Sequence, residues 1–392
     1  MARMSNKKNR ILAKYCQILF ISGLFLMLSF ETDGPITRTA AVRPAGAAEQ
    51  PKIELLWKRT IGIPVSLSGS TDGRFIVTVG EQGVVRCFGE DGKVVWKVEI
   101  PSVDRAVVAS DGSALLYSFL NPLYTTVYFI APDGTVLWKH EVEGAVWIAA
   151  ASTETGQFAV GTGEAYCYIY TVTKDKHRYK RWKIPGAPCS MRFLTADSLL
   201  IGTWQESGTG RFQINGKKIA WHNGKGDRLY SVDLSATNSH SLILARPNRR
   251  APEGTVYVQT ARLEPVWEKE FPVYNLTADV SPSGEYVAVG YQRMLTRKDE
   301  EILENRIALY DKKGKQLWEK GGMFADWDLL QMCSSGRVLV HDSAHIYCLD
   351  QYGKVLLRKK LPATVRKFAR IHTRDRIAIS CGDGQLCVFS IK

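Results

Sequence analysis

The stretch Arg86-Cys-Phe-Gly-Glu-Asp-Gly-Lys-Val-Val-Trp96-Lys97 returns in kind as Tyr128-Phe-Ile-Ala-Pro-Asp-Gly-Thr-Val-Leu-Trp138-Lys139 and as Ala308-Leu-Tyr-Asp-Lys-Lys-Gly-Lys-Gln-Leu-Trp318-Glu319. Each copy reads as a strand, a tight turn and an apolar strand that ends in tryptophan. Glycine marks the turn because hairpins need residues at positive φ, which only glycine adopts without strain. The tryptophan recurs at Trp57, Trp96, Trp138, Trp182, Trp221, Trp267 and Trp318, with Leu357 in the eighth place, at separations of 39 to 51 residues. Eight markers predict eight units.

Two further strands precede the phrase in each unit. In the first, Val65–Ser68, Phe75–Val79, Val84–Phe88 and Val94–Glu99 are separated by Thr71-Asp-Gly73, Glu81-Gln-Gly83 and Gly89-Glu-Asp-Gly92, all turn-forming runs. No stretch of the repeat region has a helical period. The last unit stops at Leu386-Cys-Val-Phe-Ser-Ile-Lys392, its third strand, and Ile53-Glu-Leu-Leu-Trp57-Lys58 supplies the missing fourth. Pairing these ends removes an open sheet edge. The period of about 40 to 50 residues and the four-strand unit predict an all-β fold, an eight-bladed β-propeller of four-stranded antiparallel blades closed by the N-terminal strand. It would span residues 52–392; a seven-bladed ring follows if the irregular fourth unit is not a full blade.

Ahead of the repeats, residues 1–34 read as a signal peptide or signal anchor. A basic region from Arg3 to Lys14 precedes the apolar run Ile18–Phe30, whose length suits a signal core. Extended back to Ile11, residues 11–30 would form a membrane tether with its basic end inside. Residues 35–51 are an Ala/Pro/Gly-rich linker holding the small-residue site Ala45-Gly46-Ala47. Export to the periplasmic or extracellular face of a bacterial cytoplasmic membrane is the expectation. The chain of 392 residues is 45% hydrophobic and 23% charged, which excludes a disordered or multi-span membrane protein. Its formal charge of +13 is partly local to the leader. The remaining excess suits contact with anionic lipid head groups or an anionic envelope polymer and is too scattered for nucleic acid; the expected partner is a protein or such a polymer. A monomer is expected.

The glycine-turn and tryptophan phrase resembles the repeat of the quinoprotein (PQQ-like) β-propeller superfamily over about residues 52–392. The resemblance implies that a tryptophan packs between adjacent blades. It also spans quinone-dependent dehydrogenases, outer-membrane assembly factors and binding proteins without chemistry, so it says little of activity. The dehydrogenases resembling this fold need a calcium or lanthanide cage, an aspartate base and often an adjacent cysteine pair, none of which is matched here. The expectation is a non-enzymatic member with no catalytic residue, no cofactor and no metal. A PQQ-dependent oxidoreductase and a structural subunit of an envelope complex are the alternatives. Of eight cysteines, Cys87, Cys167, Cys348 and Cys387 take the same place in four third strands and read as core. Cys381 and Cys387, across a Gly-Asp-Gly turn, are the pair best placed for a disulfide. His341 and His345 flank Asp342 and offer two metal ligands without a third. No Gly-x-x-x-x-Gly-Lys loop, Gly-x-Ser-x-Gly elbow or His-Glu-x-x-His occurs, which leaves no motif for phosphate cradling, a serine nucleophile or zinc hydrolysis.

Irregularity points to the binding surface. The connections between second and third strands lengthen in three consecutive units, at Thr203–Gly210, Arg246–Glu253 and Arg293–Asn305, and long loops on a rigid scaffold carry recognition. Trp147, Trp204 and Trp327 are not repeat markers and fall at the same top end of the blades. With Arg246, Arg249, Arg250, Arg293 and Arg297 they are expected to form an aromatic and cationic platform for a peptide, a sugar chain or an acidic polymer. The run Lys298–Glu304 reads as a solvent-facing loop.

Overall fold

The computed structural model describes residues 52–392 apart from 120–124, 153–155, 174–176, 205–207, 224–227, 235–239, 247–253, 261, 272–275, 298–299, 323–329, 334–335, 343, 372–374 and 392. The leader at 1–34, the tether at 11–30 and the linker at 35–51 lie outside the described residues. Among those described, every long element is a strand, and the strands form eight four-stranded antiparallel sheets. None is a helix long and apolar enough to cross a membrane.

Sheets are numbered here by their first strand, starting from Pro64–Gly69. Sheet one continues with Ile76–Gly80, Val84–Phe88 and Val94–Glu99, within about a residue of the expected bounds. Its turn glycines Gly73 and Gly92 have φ of 71° and 74°, the left-handed region where a side chain would be strained. Sheet four is complete, with strands Pro188–Thr195, Ser198–Thr203, Gly208–Gln213 and Lys218–Asn223. In sheet eight, Val365–Ile371, Arg376–Cys381 and Gln385–Ile391 are followed outermost by Ile53–Thr60. That strand runs antiparallel to Gln385–Ile391, from Ile53 opposite Ile391 to Thr60 opposite Gln385, with one bulge between Leu55 and Trp57.

Successive sheets pack face to face. Side chains alternate along each strand, so each sheet feeds two cores. Val77, Val79, Val85 and Cys87 of sheet one meet Ala106 and Leu116 of sheet two, while Ile76 and Phe88 turn the other way, toward Ala378, Leu386 and Trp57 of sheet eight. A buried cluster joins each sheet to the next, from one to eight, and another joins eight to one. Both faces of the second strands are covered, which explains their near-continuous apolar runs, whereas the outermost strands stay largely exposed.

The glycine and the tryptophan of the repeated phrase prove to be two halves of one lock. A Cβ added to Gly92 would sit 2.5 Å from the ring of Trp57, and one on Gly134 would sit 2.6 Å from Trp96. Gly216, Gly314 and Gly353 stand in the same way against Trp182, Trp267 and Trp318. In these five cases the tryptophan of one sheet rests on the bare turn of the following sheet, while Trp221 packs on Gly208 and Gly210 of its own sheet. Several indoles also hydrogen-bond across the seam: Trp57 Nε1 donates to the Glu90 carbonyl at 2.9 Å, and Trp318 Nε1 to that of Gln351 at 3.0 Å. Trp138 meets no turn glycine and instead stacks on His177 of sheet three, with ring centroids 4.0 Å apart.

The cysteines of the third strands are core residues. Cys87, Cys167, Cys348 and Cys387 are buried, the first three facing Trp96, Trp182 and Leu357 across the hairpin. Burial pushes the Cys87 thiol up to about 12 and that of Cys348 up to about 11. Cys381 and Cys387 adjoin as free thiols and share a hydrogen bond.

One expectation is corrected. Arg293–Asn305 is not a loop: strands Tyr286–Arg297 and Glu300–Asp311 pair along their whole lengths, from Tyr286 opposite Asp311 to Arg297 opposite Glu300. Most of the Lys298–Glu304 run is thus strand. The flanking strands of sheet six reach only to Tyr291 and Arg306, so among the described residues no other strand pairs with the far half of the hairpin.

Candidate functional site

The end of the sheets where second strands finish and first strands begin holds two half-buried tryptophans, an exposed phenylalanine and an arginine. Trp147 lies near the start of strand Val146–Ala151 in sheet three, and Trp204 follows strand Ser198–Thr203 in sheet four. Their rings meet edge to face, with centroids 5.5 Å apart and planes at 76°, a favoured aromatic geometry. The Trp204 backbone is fixed by an N–H bond to the Ala187 carbonyl at 2.7 Å. Room for the Trp147 indole comes from Gly163, where an added Cβ would come within 2.7 Å of Nε1.

At the same end of sheet two stands a group that the sequence reading passed over. Phe119, 37% exposed, lies under the guanidinium of Arg105 at 5.3 Å. Asp104 accepts the Phe119 N–H at 2.9 Å and the Ser118 hydroxyl at 3.2 Å. Arg105 also donates to the Val65 carbonyl of sheet one at 3.1 Å. Phe119 sits just past a second strand, as Trp204 does, and that shared position within the unit was the available signal.

The hairpin of sheet six is a further feature of this end. Met294 faces Leu303 and Leu295 faces Ile302 across its projecting half. Ile302 and Leu303 are 43% and 46% exposed. The base is braced by charge: Arg306 pairs with Glu319 and, at 2.9 Å, with Glu304, and Tyr291 donates its hydroxyl to Glu319 at 2.6 Å. Burial acts to raise the Glu319 carboxyl, but the Tyr291 hydrogen bond and the Arg306 charge outweigh it and hold the group below the usual carboxylate range. Gln292 and Asn305 exchange a side-chain bond at 3.2 Å where the hairpin leaves the sheet.

Of the expected platform, the structure therefore brings together Trp147 and Trp204. Arg293 is exposed on the hairpin, opposite Glu304 in register and apart from the tryptophan pair. Arg246 ends a second strand in sheet five and Arg297 ends one in sheet six, but their side chains lie outside the described part. Trp327, Arg249 and Arg250 lie outside the described residues altogether.

The His341 and His345 pair has a local explanation. Asp342 accepts backbone N–H bonds from Ala344 at 2.7 Å and His345 at 2.6 Å, and the Tyr347 hydroxyl at 2.5 Å, while His345 Nδ1 lies 3.2 Å away. Burial raises the Asp342 carboxyl, yet these donors together hold it below its ordinary value. His341 is buried and its Nδ1 contacts the Asp342 carbonyl at 2.8 Å. Among the described residues no group of three or more His, Cys, Asp or Glu is placed to hold a metal ion.

What this end offers is ring faces, a guanidinium and an exposed aliphatic ladder on rigid supports, the chemistry of noncovalent capture. Among solved structures, the chain is similar to the Dos1 propeller, with a TM-score of 0.66 and 11% identity over 86% of this chain and 95% of that one. It is similar to Sqt1 of Saccharomyces cerevisiae, with a TM-score of 0.64 and 10% identity over 86% and 98%. BamB from Moraxella catarrhalis gives a TM-score of 0.58 and 11% identity over 86% and 100%. These likenesses establish a β-propeller fold. No family model matches the sequence, and no curated protein matches it.

Proposed function

We propose that the chain is an eight-bladed propeller, closed where Ile53–Thr60 completes the last blade, and that it binds a protein partner through the end bearing the Trp147–Trp204 pair and the sheet-six hairpin. The observation that carries this reading is the hairpin itself. The twelve-residue strands continue past their neighbours; no described residue of that projecting part belongs to the buried core, and Ile302 and Leu303 there are exposed to solvent. Exposed aliphatic side chains on a braced arm suit an apolar cleft of another protein. Similarity to Dos1, BamB and the Cps50 (Swd1) propeller domain supports an interaction or assembly module, by analogy of fold alone.

The finer reading is a non-enzymatic member of the quinoprotein-like superfamily, supported by the tryptophan-on-glycine lock between sheets. The leader sequence supports work at the outer face of the cytoplasmic membrane. Crosslinking in intact cells followed by purification tests the binding claim. The wild type is expected to retain a partner that Trp204→Ala and the pair Ile302→Ser with Leu303→Ser each lose, at unchanged melting temperature. Retention of the partner by both variants would remove this end as the binding surface. Addition of PQQ with calcium is expected to give no bound-cofactor absorption and no dye reduction; both together would overturn the non-enzymatic reading.

A further inference from the structure

The outermost strand of sheet three, His177-Arg-Tyr-Lys-Arg-Trp-Lys183, differs from its counterparts. It holds Arg178, Lys180, Arg181 and Lys183 and no acid. The outer strands Val94–Glu99 and Val136–Glu141 each balance one lysine with one glutamate, and Pro265–Phe271 sets two glutamates against one lysine. Val355–Lys360 gathers three cations, but all at one end. Along His177–Lys183 the cations are distributed over the whole strand, and every residue except Trp182 is exposed.

The strand is also held rigid. His177 stacks on Trp138, the Tyr179 ring lies 4.4 Å from that of His140 and 5.9 Å from that of Tyr170, and the Arg181 guanidinium lies 5.2 Å over Tyr166. Arg181 is matched by Glu143 at 2.7 Å. Arg178, Lys180 and Lys183 have no carboxylate partner among the described residues. Strand Tyr166–Val172 pairs with the inner side of this strand, and no described strand bonds to the outer side.

We propose that His177–Lys183 is a docking edge for an acidic, extended peptide, which adds to sheet three as a fifth strand. An unpaired edge offers a row of backbone donors and acceptors to any extended chain. The cations repel a second copy of the same strand and attract one carrying glutamate or aspartate, so charge selects the occupant. The stacked rings fix the edge in its bound form and lower the ordering cost of docking. A lipid surface fits less well, because the strand exposes no aliphatic side chain to insert. A polyanion without amides would meet the cations and leave the edge backbone unpaired. This surface is distinct from the end face described above.

The test uses the full chain and a fluorescein-labelled peptide of alternating glutamate and threonine, followed by fluorescence anisotropy at low and moderate salt. Arg178→Glu with Lys180→Glu is expected to weaken binding about tenfold or more, on the scale of two reversed charge contacts. Lys359→Glu with Lys360→Glu makes the same change in net charge on sheet seven and is expected to leave affinity within about twofold, as binding by net charge alone would not. The same peptide N-methylated at alternate residues is expected to lose binding, since it cannot pair with the edge. Equal weakening by the two double variants, undiminished binding of the N-methylated peptide, or equal affinity for anionic vesicles or single-stranded DNA would overturn the proposal. Unchanged melting temperatures show that the variants fold, and loss of the end-face variants' partner has no bearing on this probe.

Discussion

At the residue scale, each turn glycine of the lock answers two demands. Gly134 has φ of 89°, and a Cβ there would lie 2.6 Å from that of Trp96. Gly62 has φ of 78° with nothing within 4 Å. Gly62→Ala should therefore cost only the left-handed backbone penalty, about 1 kcal/mol. Gly134→Ala adds displacement of the tryptophan and should cost about 2–4 kcal/mol. Paired thermal melts check the order; equal losses would show that the tryptophan contact carries no weight. The buried thiols make a second prediction. Burial holds Cys87 and Cys189 at about 12, above the ordinary thiol value of 9.0. Above pH 9 the unfolded chain releases these protons while the folded chain keeps them. Stability is then complete below about pH 9 and falls between there and about pH 12, by about 1.4 kcal/mol per pH unit for each such thiol. Urea midpoints measured from pH 8 to 10.5 should decline accordingly, and a flat profile would contradict the burial of these groups.

Sequence was most informative at the scale of the element wherever a strand buries a face. The first unit's strands were legible because turn residues bound them and the inner strands are buried. The tryptophan-glycine contact was half legible: its two residues share one phrase, but each meets the partner from the neighbouring repeat. The sheet-six hairpin was not legible at all. Among the described residues of 292–305 none is buried, so no alternation of apolar and polar side chains marks them as strands, and their mixed charges read as a loop. For the candidate site, the Trp147–Trp204 contact followed from position in the repeat, while Phe119 escaped notice because it is neither a tryptophan nor in a long connection. Because no flanking strand among the described residues pairs with residues 294–303, replacing them by a short turn should shift the melting temperature by less than about 2 °C. A large drop would mean that the hairpin supports the fold.

For the whole molecule the decisive matter is closure. The Ile53–Thr60 strand belongs by pairing to the last sheet and by its tryptophan to the first, where Trp57 rests on Gly92. An ion pair between Arg376 and Glu90 at 2.8 Å spans the same seam. Loop-closure entropy must be met before these contacts form, so the pairing ranks among the most non-local in the chain. Proteins of this kind avoid exposing a terminal sheet edge by such a device. Glu54 and Ser390 stand directly opposite each other in this pairing, at the separation a disulfide can span. The most direct measurement is mild oxidation of the variant Glu54→Cys with Ser390→Cys at low protein concentration, with cysteine peptides mapped by mass spectrometry. Closure predicts an intramolecular disulfide between the two introduced thiols, with a yield that does not change on dilution; no such bond, or one formed only between chains, would contradict it.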